Sequence, residues 1–269
     1  MLLQVLRNIF GRRSADAFPS DQRSVDRLLR SLSEAGKRDE AMALYDAAIA
    51  SGLCACEPGF DEDYRRSLEA TGTPPYGLHR RQRFQALVRL LAETLALQGD
   101  VAECGCYRGL SSHLMLTRLR RADPAYLGAG YHVFDSFQGL SEPQSVDREG
   151  RAPSGVNLAA QRGWFTASLE SVRASLGEFP EVSFHPGWIP QSFAGLAERT
   201  YRFVHLDVDL HEPTLGGLEY FYPRMVPGAI LVCDDFDWPG ERKAIEDFCA
   251  RLGLKFETTP HGQAVLRRH

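Results

Sequence analysis

Apolar positions in the first third of the chain recur every three to four residues. In "SVDRLLRSLSEAGKRDEAMALYDAAIASG", residues 24–52, that spacing runs to Gly36, resumes beyond it and stops at Gly52, which predicts two helices. The second of them resembles one half of a tetratricopeptide unit. No second copy follows, and such repeats need about three units for stability, so the pair is read as a helical hairpin packed on the main domain. The stretch "CEPGFDEDYRRSLEATGTPPYG", residues 56–77, is polar and carries Pro and Gly, and is read as a connection. "LHRRQRFQALVRLLAETLALQGD" follows as an amphipathic helix that ends at Gly99.

From Val101 the rhythm changes. Short apolar runs, "VAEC", "YHVFD", "EVSFHPG", "RFVHLDVD" and "GAILVCDD", alternate with helical stretches, "LSSHLMLTRLRR", "TASLESVRASLGEF", "LGGLEYFYPRM" and "PGERKAIEDFCARLG". Strands without in–out alternation are covered on both faces, and strand–helix alternation means a parallel sheet. "KFETTP" and "QAVLRR", joined across Gly262, close it as an antiparallel pair. The fold expected is α/β: a doubly wound, mostly parallel seven-stranded sheet, with an N-terminal helical region at 1–75 and the α/β domain at 76–269. The polar stretch at 139–155 is a loop, and its part from Ser141 to Gly155 is read as a lid over a bound molecule.

Composition narrows the function classes. The chain has 269 residues, 43% hydrophobic and 25% charged, with a net charge of -4. That balance carries no electrostatic footprint for nucleic acid. No run approaches the length of a membrane span. The N-terminal "MLLQVLRNIFGRR" lacks a basic leader and a small-residue cleavage site, so it is read as a terminal or docking helix rather than a signal peptide. Six cysteines in no framework spacing read as reduced thiols, and the expected compartment is the cytoplasm. The one-residue spacing of Cys54 and Cys56, and of Cys104 and Cys106, does not suit zinc.

The chemistry gathers where strands end, which is where doubly wound sheets bind ligands. "VAECGCYRGLSS" joins a strand to a helix, with Gly105 and Gly109 in the turn and Glu103 at the strand end. It lacks the G-x-G-x-x-G of dinucleotide sites, which argues against a nicotinamide-dependent dehydrogenase. Asp135, ending the second strand in "VFDSFQGL", either accepts ribose hydroxyls or caps its own turn. Trp188 of "HPGWIPQSF" either stacks on an adenine or is plain core. Asp207 and Asp209 end the fourth strand, and Asp234 and Asp235 end the fifth. Converging carboxylates repel unless a cation joins them. The readings are a hard divalent ion such as Mg²⁺, or salt bridges to Arg242 and Lys243.

"AECGCYRGLSS", "VFDSFQGL" and "HLDVDLHEPTLGGLEYFYPRMVPGAILVCDDFDWPGERKAIEDF" together resemble the macrocin O-methyltransferase family of class I S-adenosylmethionine-dependent enzymes, which methylate sugar hydroxyls of natural products. The resemblance runs from about Tyr76 to the C-terminus. It implies that Glu103, Gly105, Tyr107 and Gly109 line the methionine part of S-adenosylmethionine. Asp135 would hold the ribose, with Ser136 and Phe137 beside it, and Gly187 and Trp188 would border the adenine. Tyr76 would belong to a segment that folds over the cofactor. Asp207, Asp234 and Asp235 would hold Mg²⁺, with Asp207 also the base and Asp209 a weaker candidate. The acceptor would be a saccharide or sugar-bearing small molecule, and relatives often associate through N-terminal helices, which leaves a homo-oligomer open. His211 stands where the family carries tyrosine. It is either an added base or an exposed first-turn residue of the next helix. The non-enzymatic alternative is a degenerate sheet domain that docks a partner through its N-terminal helices; the intact set of acids argues against it.

Overall fold

The computed structural model describes residues 21–54, 57–148, 163 and 165–269. The proposed N-terminal docking helix, Cys56 and the part of the proposed lid beyond residue 148 lie outside the described residues. The chain divides into two compact units, Met1–Gln85 and Ala86–His269.

The first unit is helical. Helices α1 (Gln22–Glu34) and α2 (Arg38–Ala50) form where the periodicity placed them, and Asp21 caps α1 by accepting the Ser24 N–H. The stretch read as a connection is instead largely a helix, α3 (Pro58–Thr71). Its apolar residues are few but spaced by four, so Phe60, Tyr64 and Leu68 all bury on one face. Pro58 starts α3 and left-handed Gly72 ends it, so the Pro and Gly that suggested a loop are the helix's own boundaries. Arg81 is fully buried in this unit. Its Nε donates to Tyr45 Oη at 2.9 Å, and that hydroxyl donates to Asp61 at 2.7 Å, so the buried charge is paired.

Helix α4 (Leu78–Glu93) begins in the first unit and ends in the second. The second unit then alternates β1 (Asp100–Cys104), α5 (Leu110–Ala122), β2 (Tyr131–Asp135), α6 (Ser145–Arg148), α7 (Leu169–Ser175), β3 (Ser183–Pro186), β4 (Tyr201–Leu206), α8 (His211–Phe221), β5 (Met225–Cys233), α9 (Pro239–Leu252), β6 (Glu257–Thr258) and β7 (Ala264–Arg267). The seven strands order as β3-β2-β1-β4-β5-β7-β6, with β1 to β5 parallel and β7 antiparallel to both neighbours. Short α6 was not foreseen within its polar loop. It is pinned by Asp147, whose buried carboxylate accepts the His211 N–H at 2.7 Å and the Gln144 N–H at 2.8 Å.

The sheet is a true core layer. Phe134, Val204, Leu206, Phe221, Leu231 and Ile245 are among its fully buried members. The chain leaves β1 toward β2 and β3 on one side, and β4 leads to β5 on the other. The order therefore reverses between β1 and β4, and a crevice opens at their carboxyl ends. Among the described residues no helix is long and apolar enough to cross a membrane.

Candidate active site

The two central turns approach each other closely at that crevice. Asp207 N–H donates to Cys104 O at 2.8 Å, which carries the β1–β4 ladder one residue past the strand end. A Cβ on Gly105 would lie 1.9 Å from the Asp207 carbonyl oxygen, and Gly105 also has φ +80°, so only glycine fits. Four non-glycine residues among the described ones have positive φ. Three of them, Tyr107, Phe137 and Asp209, stand just after β1, β2 and β4. Strained backbone of this kind concentrates where a site is being shaped.

The register of β1 and β4 sets Glu103 beside His205. Glu103 is fully buried and accepts from the Ser112 hydroxyl, from Tyr131 Oη at 2.9 Å and from His205 Nδ1 at 3.1 Å. On its other side His205 Nε2 faces Asp234 Oδ1 at 3.6 Å, and Gln263 Nε2 donates to the same oxygen at 2.7 Å. Burial opposes a charge on His205, but Asp234 and Glu103 outweigh it and raise the imidazole to about 10. His205 thus sits between two carboxylates, hydrogen-bonded to Glu103 through Nδ1 and in ion-pair range of Asp234 through Nε2, which suits a counter-ion.

Asp135 ends β2. Its carboxylate accepts the Cys106 N–H at 2.8 Å, the Tyr107 N–H at 3.3 Å and the Phe137 N–H at 2.7 Å. It caps its own turn and also ties that turn to the one after β1. Ser136 Oγ donates to Gly139 O and accepts from the Gln138 N–H. Gly187 follows β3, and its N–H donates to Asp135 O at 2.9 Å. Trp188 is 38% exposed, which excludes plain core for its ring. Gly109 precedes α5 in a left-handed conformation. Tyr76 belongs to the first unit, ahead of α4.

The acids fall into two groups around Asp207. Ligand atoms of Asp207, Asp209 and Asp235 lie within 4.8 Å of one another, and so do those of His205, Asp207 and Asp234. The oxygen-only group suits a hard divalent cation. The salt bridges weighed from sequence do not form: Arg242 faces Asp237 at 3.8 Å, and Lys243 holds Asp247 at 2.5 Å. His211 is the half-buried first residue of α8. Glu241, in the first turn of α9, was missed from sequence. It is fully buried, and its Oε1 accepts the Asp235 N–H at 2.8 Å. Burial holds its carboxyl well above the usual range, reinforced by Asp235, Asp209 and Asp207. The only sequence signal was an acid at a helix start, which complementing the helix dipole would explain by itself.

A seven-stranded sheet of this order is the fold of class I S-adenosylmethionine-dependent methyltransferases. Solved structures share the fold. The O-methyltransferase NovP superposes with a TM-score of 0.59 at 24% identity, covering 76% of this chain and 88% of NovP. The calicheamicin methyltransferase CalS11 gives 0.59 at 20%, covering 79% and 94%. In sequence, the chain is 33% identical over 204 residues to a Streptomyces olivaceus enzyme, 8-demethyl-8-(2,3-dimethoxy-alpha-L-rhamnosyl)-tetracenomycin-C 4'-O-methyltransferase, covering 72% of this chain and 74% of that one. It is 26% identical over 228 residues to mycinamicin III 3''-O-methyltransferase of Micromonospora griseorubida, covering 82% and 89%. The family model for macrocin-O-methyltransferase (TylF) matches residues 31–259. The chain belongs to the macrocin O-methyltransferase family, and it is an O-methyltransferase.

Proposed function

We propose that the protein transfers the methyl of S-adenosylmethionine to a hydroxyl of a sugar carried by a natural product, with a divalent ion, Mg²⁺ in the first instance, at the acids of the crevice. The observation that carries this reading is the oxygen-only convergence on Asp207 at the switch point. The relatives act, by their names, on a tetracenomycin rhamnosyl group and on mycinamicin III, which supports a glycosyl acceptor. Glu103, Gly105, Tyr107 and Gly109 are assigned to the methionine end of the cofactor. Asp135, Ser136 and Phe137 are assigned to the ribose, and Gly187 and Trp188 to the adenine. Asp135 keeps acceptor capacity beyond its three backbone donors, since a carboxylate offers about four lone-pair sites.

Asp207, half-exposed where the two central turns meet, takes the proton of the acceptor hydroxyl. Asp234 and Asp235 flank it as further carboxylates for the ion. A bound divalent ion supplies polarisation of that hydroxyl and lowers its pKa. Holding the oxygen in line with the sulfonium methyl accounts for most of the acceleration, because the sulfonium needs little activation. His211 at the start of α8 is a second acceptor-side group. The buried thiols Cys104, Cys106, Cys233 and Cys249 form no disulfide among the described residues, which accords with a cytoplasmic enzyme.

The test is transfer of an isotopically labelled methyl from S-adenosylmethionine to rhamnosyl and other deoxysugar glycosides, followed by mass spectrometry. Labelled glycoside that appears with wild-type protein and is abolished by Asp207→Asn supports the reading. Labelling that persists in Asp207→Asn removes Asp207 from the chemistry.

A further inference from the structure

Asp147 lies in a polar loop, yet it is only 1% exposed. An acid buried this far needs donors for its oxygens. Oδ2 accepts the Gln144 N–H at 2.8 Å, so Asp147 reaches back to cap the start of its own short helix, α6. Oδ1 accepts the N–H of His211, the first residue of α8, at 2.7 Å. That end of a helix carries partial positive charge, which suits a carboxylate. Gly240, in the first turn of α9, lies against the same oxygen. A Cβ there would collide with Asp147 Oδ1 and lie 3.0 Å from the His211 nitrogen, so glycine makes room for the contact. Beside it, Gln144 Nε2 donates to Glu212 Oε2 at 2.8 Å.

The loop that ends at Asp147 begins at Asp135, the last residue of β2. The sheet runs β2-β1-β4-β5, and α8 and α9 follow β4 and β5. A chain from the end of β2 to the first turns of α8 and α9 therefore passes the carboxyl ends of β1 and β4, where the crevice lies. An aspartate holds each end of this stretch. Asp135 accepts the Phe137 N–H at 2.7 Å, among the residues assigned to the ribose. Asp147 holds His211, two residues beyond Asp209.

We propose that Asp147 is a positioning residue for the sugar acceptor: it fixes residues 136–147 as a wall of the crevice and sets the backbone of His211 on the acceptor side. The inference rests on the reading that a glycoside meets Asp207 in this crevice. Asp147 acts through the loop and through α8. Loosening its hold shifts the wall and the start of α8, and leaves Asp135 and the turn after β1 tied to each other.

The experiment compares full-length wild type with Asp147→Asn, Gly240→Ala and Gln144→Ala. The probe is the rhamnosyl glycoside that wild type methylates fastest. KM and kcat for it are measured beside S-adenosylhomocysteine affinity by calorimetry and the melting temperature. Asn keeps one of the two accepting oxygens. Ala at 240 pushes the intact carboxylate from the other side. Gln144 is exposed, so its truncation leaves the interior intact. The expected result is a rise in glycoside KM of about tenfold or more in Asp147→Asn and Gly240→Ala and about threefold in Gln144→Ala, with kcat changed less and S-adenosylhomocysteine affinity within about threefold of wild type. A merely structural anchor would weaken glycoside and S-adenosylhomocysteine alike as the melting temperature falls, and that pattern overturns the inference. So does a wild-type KM in folded Asp147→Asn or Gly240→Ala, or, where neither folds, in Gln144→Ala. A wild type that methylates no glycoside overturns both the inference and the reading beneath it.

Discussion

Replacing Gly105 by Ala separates the geometry of the crevice from the stability of the sheet. The added Cβ would sit 1.9 Å from the Asp207 carbonyl oxygen, whereas ordinary contact begins near 3.4 Å, so one turn must retreat by more than about 1 Å. Left-handed backbone costs an alanine roughly 1–2 kcal/mol. Overpacking of a rigid contact costs roughly 1–3 kcal/mol more. Near the middle of that sum, about 3 kcal/mol, the melting temperature of a unit this size falls by roughly 6–12 °C. Activity should fall further than stability, because a misplacement of about 1 Å at the reacting centre costs on the order of a hundredfold. Gly253→Ala is the control: its φ is +64°, and nothing lies within 4 Å of the added Cβ, so it carries the strain without the collision. The assay is kcat/KM for methyl transfer together with thermal melts of both variants. If Gly105→Ala matches Gly253→Ala in both, the contact between the turns after β1 and β4 does not position Asp207, and the reasoning fails.

Other outcomes follow from the same structure. Trp188→Ala should weaken S-adenosylhomocysteine binding in calorimetry without lowering the melting temperature, because the ring is exposed; a fall in melting temperature with unchanged binding would return it to a structural role. Asp135→Ala removes the acceptor of three backbone N–H groups and should lower both cofactor affinity and stability, the latter by about 1–2 kcal/mol for a lost cap. The pH dependence centres on His205. Its folded value of about 10 lies above the ordinary 6.5, so its stabilisation is complete below 6.5 and is lost as pH rises toward 10. Melts of metal-free protein between those values should decline, and His205→Gln should flatten the decline; an equal slope in the variant refutes the assignment.

The fold was legible because buried parallel strands leave short, continuous apolar runs, and here these alternate with helical stretches. The carboxylates at the strand ends were legible for the same reason, since an acid at the end of such a run must reach a surface or a partner. What was missed depends on distance in sequence. Helix α3 hides its apolar face in three residues spaced by four, between Pro58 and Gly72, which on their own mark a loop as readily as a helix's two ends. Glu241 reads as a helix-start acid until α9 brings it under Asp235. His205 reads as a polar interruption of an apolar strand until the β1–β4 register sets it against Glu103. Asp147 lies in a polar loop, and only its contact with the first N–H of α8 shows it as an anchor.

The most direct test is calorimetric titration of S-adenosylhomocysteine into metal-stripped protein, repeated with Mg²⁺ present. The expected result is one site of micromolar affinity, with the heat or affinity altered by the ion. No binding in either condition would contradict it and leave the protein with the methyltransferase fold but without methyltransferase chemistry.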